Sequence, residues 1–170
     1  MRLFSGKIPA IAEDVVQTLT SAGDIDAEQP EEVKLDIEAV LKEYLRQERD
    51  VLDEAKNRLE IRQLPYSQLG KMKSMVARER QVPIGDDMLP YVLEQTLTML
   101  FHSQNVDEVY ADDITLRKKM TTVFRRHLDV EGELDREVRS KIKNLQEGTA
   151  TFEIEYQRKM NELKRKKRLT

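Results

Sequence analysis

An amphipathic stretch from Asp112 to Leu145 constrains the fold more than any other feature of the sequence. Its apolar residues recur mostly three or four positions apart, which places them along one face of an α-helix, and the other face is basic. The apolar residues are Ile114, Met120, Val123, Phe124, Leu128, Leu134, Val138, Ile142 and Leu145; the basic residues are Arg117, Lys118, Arg125, Arg126, Arg136, Arg139 and Lys143. The pattern predicts one long helix. Gly132 costs a helix interior about 1 kcal/mol relative to alanine, so we expect the helix to kink or divide there.

Residues at both ends of this stretch are typical of helix termini. Asp112 and Asp113 stand at the start, where negative charge complements the helix dipole. Gly148 follows the last apolar residue, and glycine is the preferred residue for a left-handed C-cap.

Similar signals predict helices in the first half of the chain. Ser5 is expected to cap a first helix that has Pro9 in its first turn and Gly23 after its end. Pro30, followed by two glutamates, begins a second helix. Leu64-Pro65 stops that helix or follows its end. A short third helix follows, with Ser67 as its expected cap.

Two more helices complete the predicted second half. Asp86 or Asp87 is expected to cap a fourth helix, and the stretch from Asn105 to Tyr110 is a link that extends briefly before the long amphipathic stretch. Four apolar residues mark the final helix. The basic run that follows it has no further apolar residue to hold it against the protein, so we expect this run to project into solvent. The four are Phe152, Tyr156, Met160 and Leu163.

The order of short, long and shorter helix occurs twice, which indicates an internal duplication. At an offset of 81 residues Pro9 aligns with Pro90, and a two-residue insertion then aligns Tyr44 with His127. A rival register aligns Gln17–Thr20 with Gln95–Thr98, and two amphipathic helices can also align by coincidence. We predict an all-α protein of two homologous three-helix units that form one pseudo-symmetric domain. The predicted divisions are residues 1–81 for the first repeat, 82–86 for a connector, 87–163 for the second repeat and 164–170 for a basic C-terminal tail.

Composition excludes several classes of protein. The chain has no cysteine, so disulfides and thiolate chemistry are excluded, and its two distant histidines argue against a zinc site. No stretch approaches the roughly 18 apolar residues of a membrane span, and the N-terminus lacks the apolar run of a signal peptide. These features fit a cytoplasmic protein that does not enter a membrane.

No catalytic, cofactor-binding or metal-binding residues can be assigned. His127 lies beside an apolar stripe and is interpreted as a residue at the boundary between the buried and exposed faces of the helix. His102 has no acidic residue at a spacing that would indicate a catalytic pair. The alternating acids Asp24, Asp26 and Glu28 lack the glycine of a calcium loop, and no glycine-rich phosphate loop occurs. Alternating acids in the long helix are interpreted as a solvated face. The sequence therefore predicts a non-enzymatic protein without a cofactor or an evident small-molecule ligand.

Basic clusters are the better indication of a binding surface. Residues 157–170 contain seven basic residues and one acid, a net charge of +6, so the other residues sum to −9 within the total of −3. The residues predicted to bind a polyanion are Arg117, Lys118, Arg125, Arg126, Lys164, Arg165, Lys166, Lys167 and Arg168. They favour contacts with nucleic-acid phosphates, whereas the acidic body and the shortage of aromatic residues beside them argue against such contacts.

Three segments resemble a bacterial family known as domain of unknown function 507. They are residues 1–19, the link Gly23–Asp26, and the block of residues 127–160, in which Glu147-Gly148-Thr149 leads to Phe152–Tyr156. The resemblance covers nearly the whole chain and implies a bacterial, cytoplasmic protein, but it transfers no activity, cofactor or site residue. We therefore expect an interaction or scaffold protein that binds a protein partner or itself through helical surfaces. The alternative is a nucleic-acid- or ribosome-associated factor that uses the basic tail.

Overall fold

The computed structural model describes residues 2–169, and these residues are mostly helical, which confirms the predicted all-α class. A two-stranded antiparallel ribbon is the one addition to the helices within this range. The helices are α1 (Ile8–Ser21), α2 (Pro30–Ile61), α3 (Leu69–Arg80), α4 (Met88–His102), α5 (Asp113–Leu128), α6 (Val130–Lys141) and α7 (Ala150–Lys166); the strands are β1 (Ile25–Asp26) and β2 (Glu108–Val109).

Proline and glycine mark the ends of the first two helices as the sequence predicts. Pro9 lies in the first turn of α1, and Pro30 is the first residue of α2. Gly23 follows α1 with φ of 72°, the left-handed conformation that ends a helix. Leu64-Pro65 comes just after the end of α2, so the second of the two predicted alternatives is correct.

The predicted single helix over Asp112–Leu145 is wrong, because the chain divides into α5 and α6 at Asp129. Asp129 has φ of −79° and ψ of 54°, outside the helical region, and α6 ends at Lys141. Gly132 is not the point of division. A Cβ atom on Gly132 would lie 2.7 Å from the Asp129 carboxylate, so this glycine makes room for the side chain at the break.

Several predicted caps are also wrong. Short 3₁₀ turns precede α1, α3 and α4, and neither Ser5 nor Ser67 is the N-cap residue of its helix. Asp87, one of the two predicted alternatives, does occupy the N-cap position of α4, but its side chain forms no capping hydrogen bond. Gly148 has φ of 87° but follows the end of α6 by several residues, and it leads into the N-cap of α7 instead. That cap is the Thr149 hydroxyl, which accepts a hydrogen bond from the Phe152 N–H at 3.2 Å.

Helices α1, α2, α3, α4 and α5 together form a first hydrophobic cluster. Helix α2 packs against α1, α3 and α4, and α5 packs against α1 and α4. Phe124 is fully buried at the centre, whereas Ile114, assigned to the apolar stripe of α5 from its spacing, is 78% exposed. Leu116 takes the buried position instead: it precedes Met120 by four residues and shares its face of α5, whereas Ile114 precedes Met120 by six residues and lies on another side of the helix.

A second, smaller cluster lies between α6 and α7. It contains Val130, Leu134, Val138, Ile142, Phe152, Leu163 and Leu169, with Phe4 packed against it. The prediction that the chain projects into solvent after Leu163 is wrong: α7 continues through Lys166, and Leu169 is 3% exposed. Leu169 provides the apolar anchor that the interpretation of the basic run overlooked.

Candidate polyanion-binding cleft

The last turn of α7 brings the C-terminal residues back against the protein. Arg168 adopts φ of 56°, and the Leu169 N–H donates to the Lys164 carbonyl oxygen at 2.8 Å. This left-handed residue and its hydrogen bond form a Schellman motif, in which the residue after the turn is commonly apolar. Leu169 therefore enters the second hydrophobic cluster while Arg168 stays at the surface.

The N-terminal segment, residues 2–7, lies against this same turn. A Cβ atom on Gly6 would collide with the Lys167 carbonyl oxygen, so the two backbones are in close contact. Lys7 Nζ lies 2.7 Å from Glu133 Oε2, and Lys167 Nζ lies 2.6 Å from Glu137 Oε2. Both ends of the chain are thus fixed to α6 by steric fit and by ion pairs.

A cavity of about 500 Å³ opens beside these two ends, and we call it the basic cleft. The N-terminal segment, the middle of α2, one residue of α3, the turn before α4 and the end of the chain all line it. The lining residues are Arg2, Leu3, Phe4, Ser5, Leu45, Glu48, Arg49, Leu52, Lys73, Gly85 and Arg168. Elements from the whole length of the chain therefore converge on one surface opening.

Positive charge dominates the basic cleft. Four of its residues are cationic (Arg2, Arg49, Lys73 and Arg168) and Glu48 is its one acid, so the lining carries a net charge of four minus one, or +3. Within residues 2–169, none of the four cations forms an ion pair with a carboxylate. Glu48 accepts a hydrogen bond from the Tyr44 hydroxyl at 3.3 Å. The cleft is therefore suited to an anion.

Two of the predicted polyanion-binding residues on α5 are already engaged by acids of the protein. Arg117 contacts Glu94 at 2.7 Å and Asp113 at 3.2 Å, and the bond to Glu94 is the main reason that its pKa is raised above the ordinary value. Arg126 lies 2.8 Å from Asp14. Their charges are thus partly neutralised.

The remaining two α5 residues, Lys118 and Arg125, are exposed and make no ion pair within residues 2–169. They remain candidate contacts for a polyanion, but they do not line the basic cleft.

The five basic residues at the C-terminus are separated by their positions on the helix. Arg165 and Lys166 are exposed, and Lys167 pairs with acids of α6. Lys164 lines a smaller cavity of about 370 Å³ that also contains two acidic residues, while Arg168 lines the basic cleft. The run of like charges therefore does not act as one surface.

Sequence reasoning missed Arg2, Arg49 and Lys73, the three cations that join Arg168 in the cleft. Each belongs to a different element and is one charged residue on an ordinary polar helix face or terminus. No local spacing relates them, because their convergence depends on how α2 and α3 pack beside the two ends of the chain.

The histidines show no arrangement typical of a catalytic centre. His127 is half-buried, and its Nε2 atom lies 2.8 Å from Asp14 Oδ2, which agrees with its interpretation as a boundary residue. His102 is exposed at the end of α4. Within the part of the chain that the structure describes, no group of three or more histidine, aspartate or glutamate side chains is placed to hold a metal ion.

The fold and the surface together define a class: a mostly helical protein with a basic cleft where its two ends meet. Among the helices of residues 2–169, none is both long and apolar enough to cross a membrane. The chain belongs to the family described as "Protein of unknown function (DUF507)", whose model matches residues 1–169. Among curated proteins, no relative matches the sequence.

Proposed function

We propose that the protein is a non-enzymatic interaction protein that binds a partner protein through the tip of the hairpin formed by α2 and α3. We define the hairpin tip as residues 60–68, all of which are exposed. Ile61 is 72% exposed and Tyr66 73%, with Leu64 at 40% between them. Single exposed apolar residues are ordinary, but three large ones within six residues form a patch, and tyrosine is enriched in protein interfaces.

The hairpin tip is held in one shape by the residues behind it. After α2, Gln63 adopts φ of 53°, and the Leu64 N–H donates to the Leu59 carbonyl oxygen at 2.9 Å. Arg58 bridges the hairpin, with contacts of 2.9 Å to Glu54 on α2 and 2.7 Å to Glu79 on α3. A surface fixed in this way loses little conformational entropy on binding, which favours affinity.

The proposal includes the arrangement of the chain as two homologous three-helix units. This arrangement accounts for the position of the hairpin on the protein. Within each half the short helix packs on the long one, α1 on α2 and α4 on α5, and across the halves α1 packs on α5 while α2 packs on α4. Ile25 pairs with Val109 and Asp26 with Glu108 in an antiparallel ribbon, which joins one strand from each half and is compatible with a two-fold axis between them. We expect Tyr44 and His127 to coincide when residues 8–60 are superposed on residues 89–143. Unrelated helix directions in that superposition would contradict a duplication.

Because the first half keeps one unbroken long helix where the second half divides at Asp129, only the first half presents an extended hairpin. Helix α2 has 32 residues, a length of about 48 Å at 1.5 Å per residue. The hairpin tip thus lies at the far end of the longest helix that the structure describes.

Site-specific photo-crosslinking tests the proposal. A photoreactive phenylalanine analogue would replace Tyr66 and, in a matched control, Tyr110, which is 66% exposed. In native cells we expect a discrete crosslinked protein from position 66 and none of that mass from position 110. Identical products from both positions, or no product from position 66, would contradict binding at the hairpin tip. Mixing two tagged copies of the protein would show whether the partner is a second copy of this chain.

A nucleic-acid partner is the second candidate, supported by the exposed cations Lys118, Arg125, Arg165 and Lys166. Replacing these four residues with glutamine should flatten the dependence of log affinity on log salt for duplex DNA, by up to about 0.9 for each phosphate that the variant no longer neutralises. Lys167 is left unchanged because it pairs with Glu133 and Glu137. Absence of binding to RNA or DNA at low salt would remove this candidate.

A further inference from the structure

We propose that the basic cleft binds a small phosphate-bearing anion of the nucleoside di- or triphosphate class. This inference is independent of the partner proposed for the hairpin tip, since the two surfaces share no residue. It rests on the charge of the cleft, its size and the mixed chemistry of its lining.

Charge is the first argument. Several helix arginines elsewhere on the protein are paired with acids: Arg46 contacts Glu43 and Asp50, and Arg139 contacts Asp135 and Glu147. In the basic cleft, by contrast, four cations converge without such a pair in the described part of the chain, although the protein as a whole has a net charge of −3. The cleft is therefore a local concentration of positive charge on an acidic protein.

The amount of charge favours more than one phosphate group. A phosphate monoester carries about −1.5 to −2 near neutral pH, so a di- or triphosphate matches the net charge of +3 better than a single carboxylate does. Three of the four cations are arginines, whose planar guanidinium groups bind phosphate oxygens in a bidentate manner.

Size and lining favour a small ligand with a planar part. The volume of about 500 Å³ falls within the range of small-molecule pockets, roughly 300 to 1,000 Å³. Leu3, Leu45 and Leu52 provide an apolar portion. Phe4 also lines the cleft, and the Arg2 guanidinium carbon lies 4.7 Å from the centroid of its ring. A base can stack on an aromatic ring or on a guanidinium plane while the cations bind its phosphates.

The test is isothermal titration calorimetry with ATP and, separately, inorganic pyrophosphate, at low salt and in the presence of a chelator. The double variant R49Q/K73Q removes two cations of the cleft that make no ion pair within residues 2–169. The matched control is K56Q/R78Q, which removes one exposed cation of α2 and one of α3, neither of which lines the cleft. We expect R49Q/K73Q to weaken ATP binding about tenfold or more, and the control to change it less than twofold.

The unfolding temperature of each variant without ligand provides the folding control. The replaced side chains lie at the surface, so both variants should unfold at the wild-type temperature, and ATP should raise the unfolding temperature of the wild type and of the control but not of R49Q/K73Q. The variant I61A/Y66A should bind ATP as the wild type does.

Two outcomes would overturn the proposal. One is that wild-type protein binds neither ATP nor pyrophosphate, or that both double variants lose affinity equally, which would indicate non-specific charge attraction. The other is that a single-stranded oligonucleotide binds, loses affinity in R49Q/K73Q and is displaced by neither ATP nor pyrophosphate. That result would assign the cleft to nucleic acid instead of a small ligand.

Discussion

Replacing Leu169 with alanine tests whether the end of the chain is part of the folded protein. The side chain is 3% exposed and packs in the second cluster with Leu134 and Leu163. Truncating a buried leucine to alanine costs about 2 to 5 kcal/mol, and the cost rises with the volume of the space left behind. Because a cavity of about 370 Å³ already adjoins Leu169, its side chain has fewer packing contacts to lose than a fully enclosed leucine, and we expect the low end of this range, about 2 kcal/mol.

The effect should be measured by urea and thermal unfolding followed by far-UV circular dichroism. For a chain of this length, a loss of about 2 kcal/mol corresponds to a fall in unfolding temperature of about 4 to 8 °C. Arg165→Ala is the control, because Arg165 is exposed in the last turn of α7, close in sequence to Leu169, and its replacement should cost less than about 0.5 kcal/mol. Equal stability of the two variants would show that the last residues contribute nothing to the fold and would refute the docked C-terminus.

Three further predictions concern the core and the junction of the chain ends. Phe124→Ala should destabilise the protein by about 3 kcal/mol or more in urea unfolding, whereas Arg126→Ala, which removes an exposed ion pair, should cost less than about 1 kcal/mol; equal losses would mean that the faces of α5 are wrongly assigned. Gly6→Ala should lower the unfolding temperature, because its Cβ would collide with the Lys167 carbonyl oxygen, and an unchanged temperature would contradict that contact. The hydrogen bond from Lys7 lowers the pKa of Glu133 below its ordinary value of 4.5, so the stability it contributes is present above about pH 4.5 and is lost as the pH falls through the folded-state pKa; Glu133→Gln should weaken this pH dependence in unfolding titrations, and an identical profile would refute it.

The helix boundaries that depend on local chemistry were predictable from the sequence. Pro9 and Pro30 mark the first turns of α1 and α2, and Gly23 supplies the left-handed residue after α1. Each of these signals acts through the backbone of its own residue, so neighbouring elements do not change its meaning.

The break in the long helix could not be located from local signals alone. Gly132 has the lower intrinsic helix propensity, but the chain leaves the helical conformation at Asp129, where α6 and α7 begin to pack on each other and on Phe4. The break therefore lies three residues before the glycine, which accommodates the Asp129 side chain. Ile114 is exposed for a local reason, because it precedes Met120 by six residues and therefore lies off the apolar stripe of α5.

Only one residue of the basic cleft, Arg168, lies among the residues that the sequence indicated for polyanion binding. A run of basic residues is visible in a sequence, but a helix distributes its members over different faces, and here Lys167 and Arg168 meet different partners. Arg2, Arg49 and Lys73 converge through tertiary structure, which no periodicity encodes.

The most direct test of the proposed function is the dissociation constant of the purified protein and its crosslinked partner, measured for two matched double variants. I61A/Y66A truncates an isoleucine and a tyrosine of the hairpin tip, and Y110A/I114A truncates the same pair of residue types at another exposed position. Because truncating a central interface residue typically costs about 1 kcal/mol or more, we expect I61A/Y66A to weaken binding by about tenfold or more, while Y110A/I114A stays within about twofold of the wild type. Equal affinity of I61A/Y66A and wild type would contradict binding through the hairpin tip.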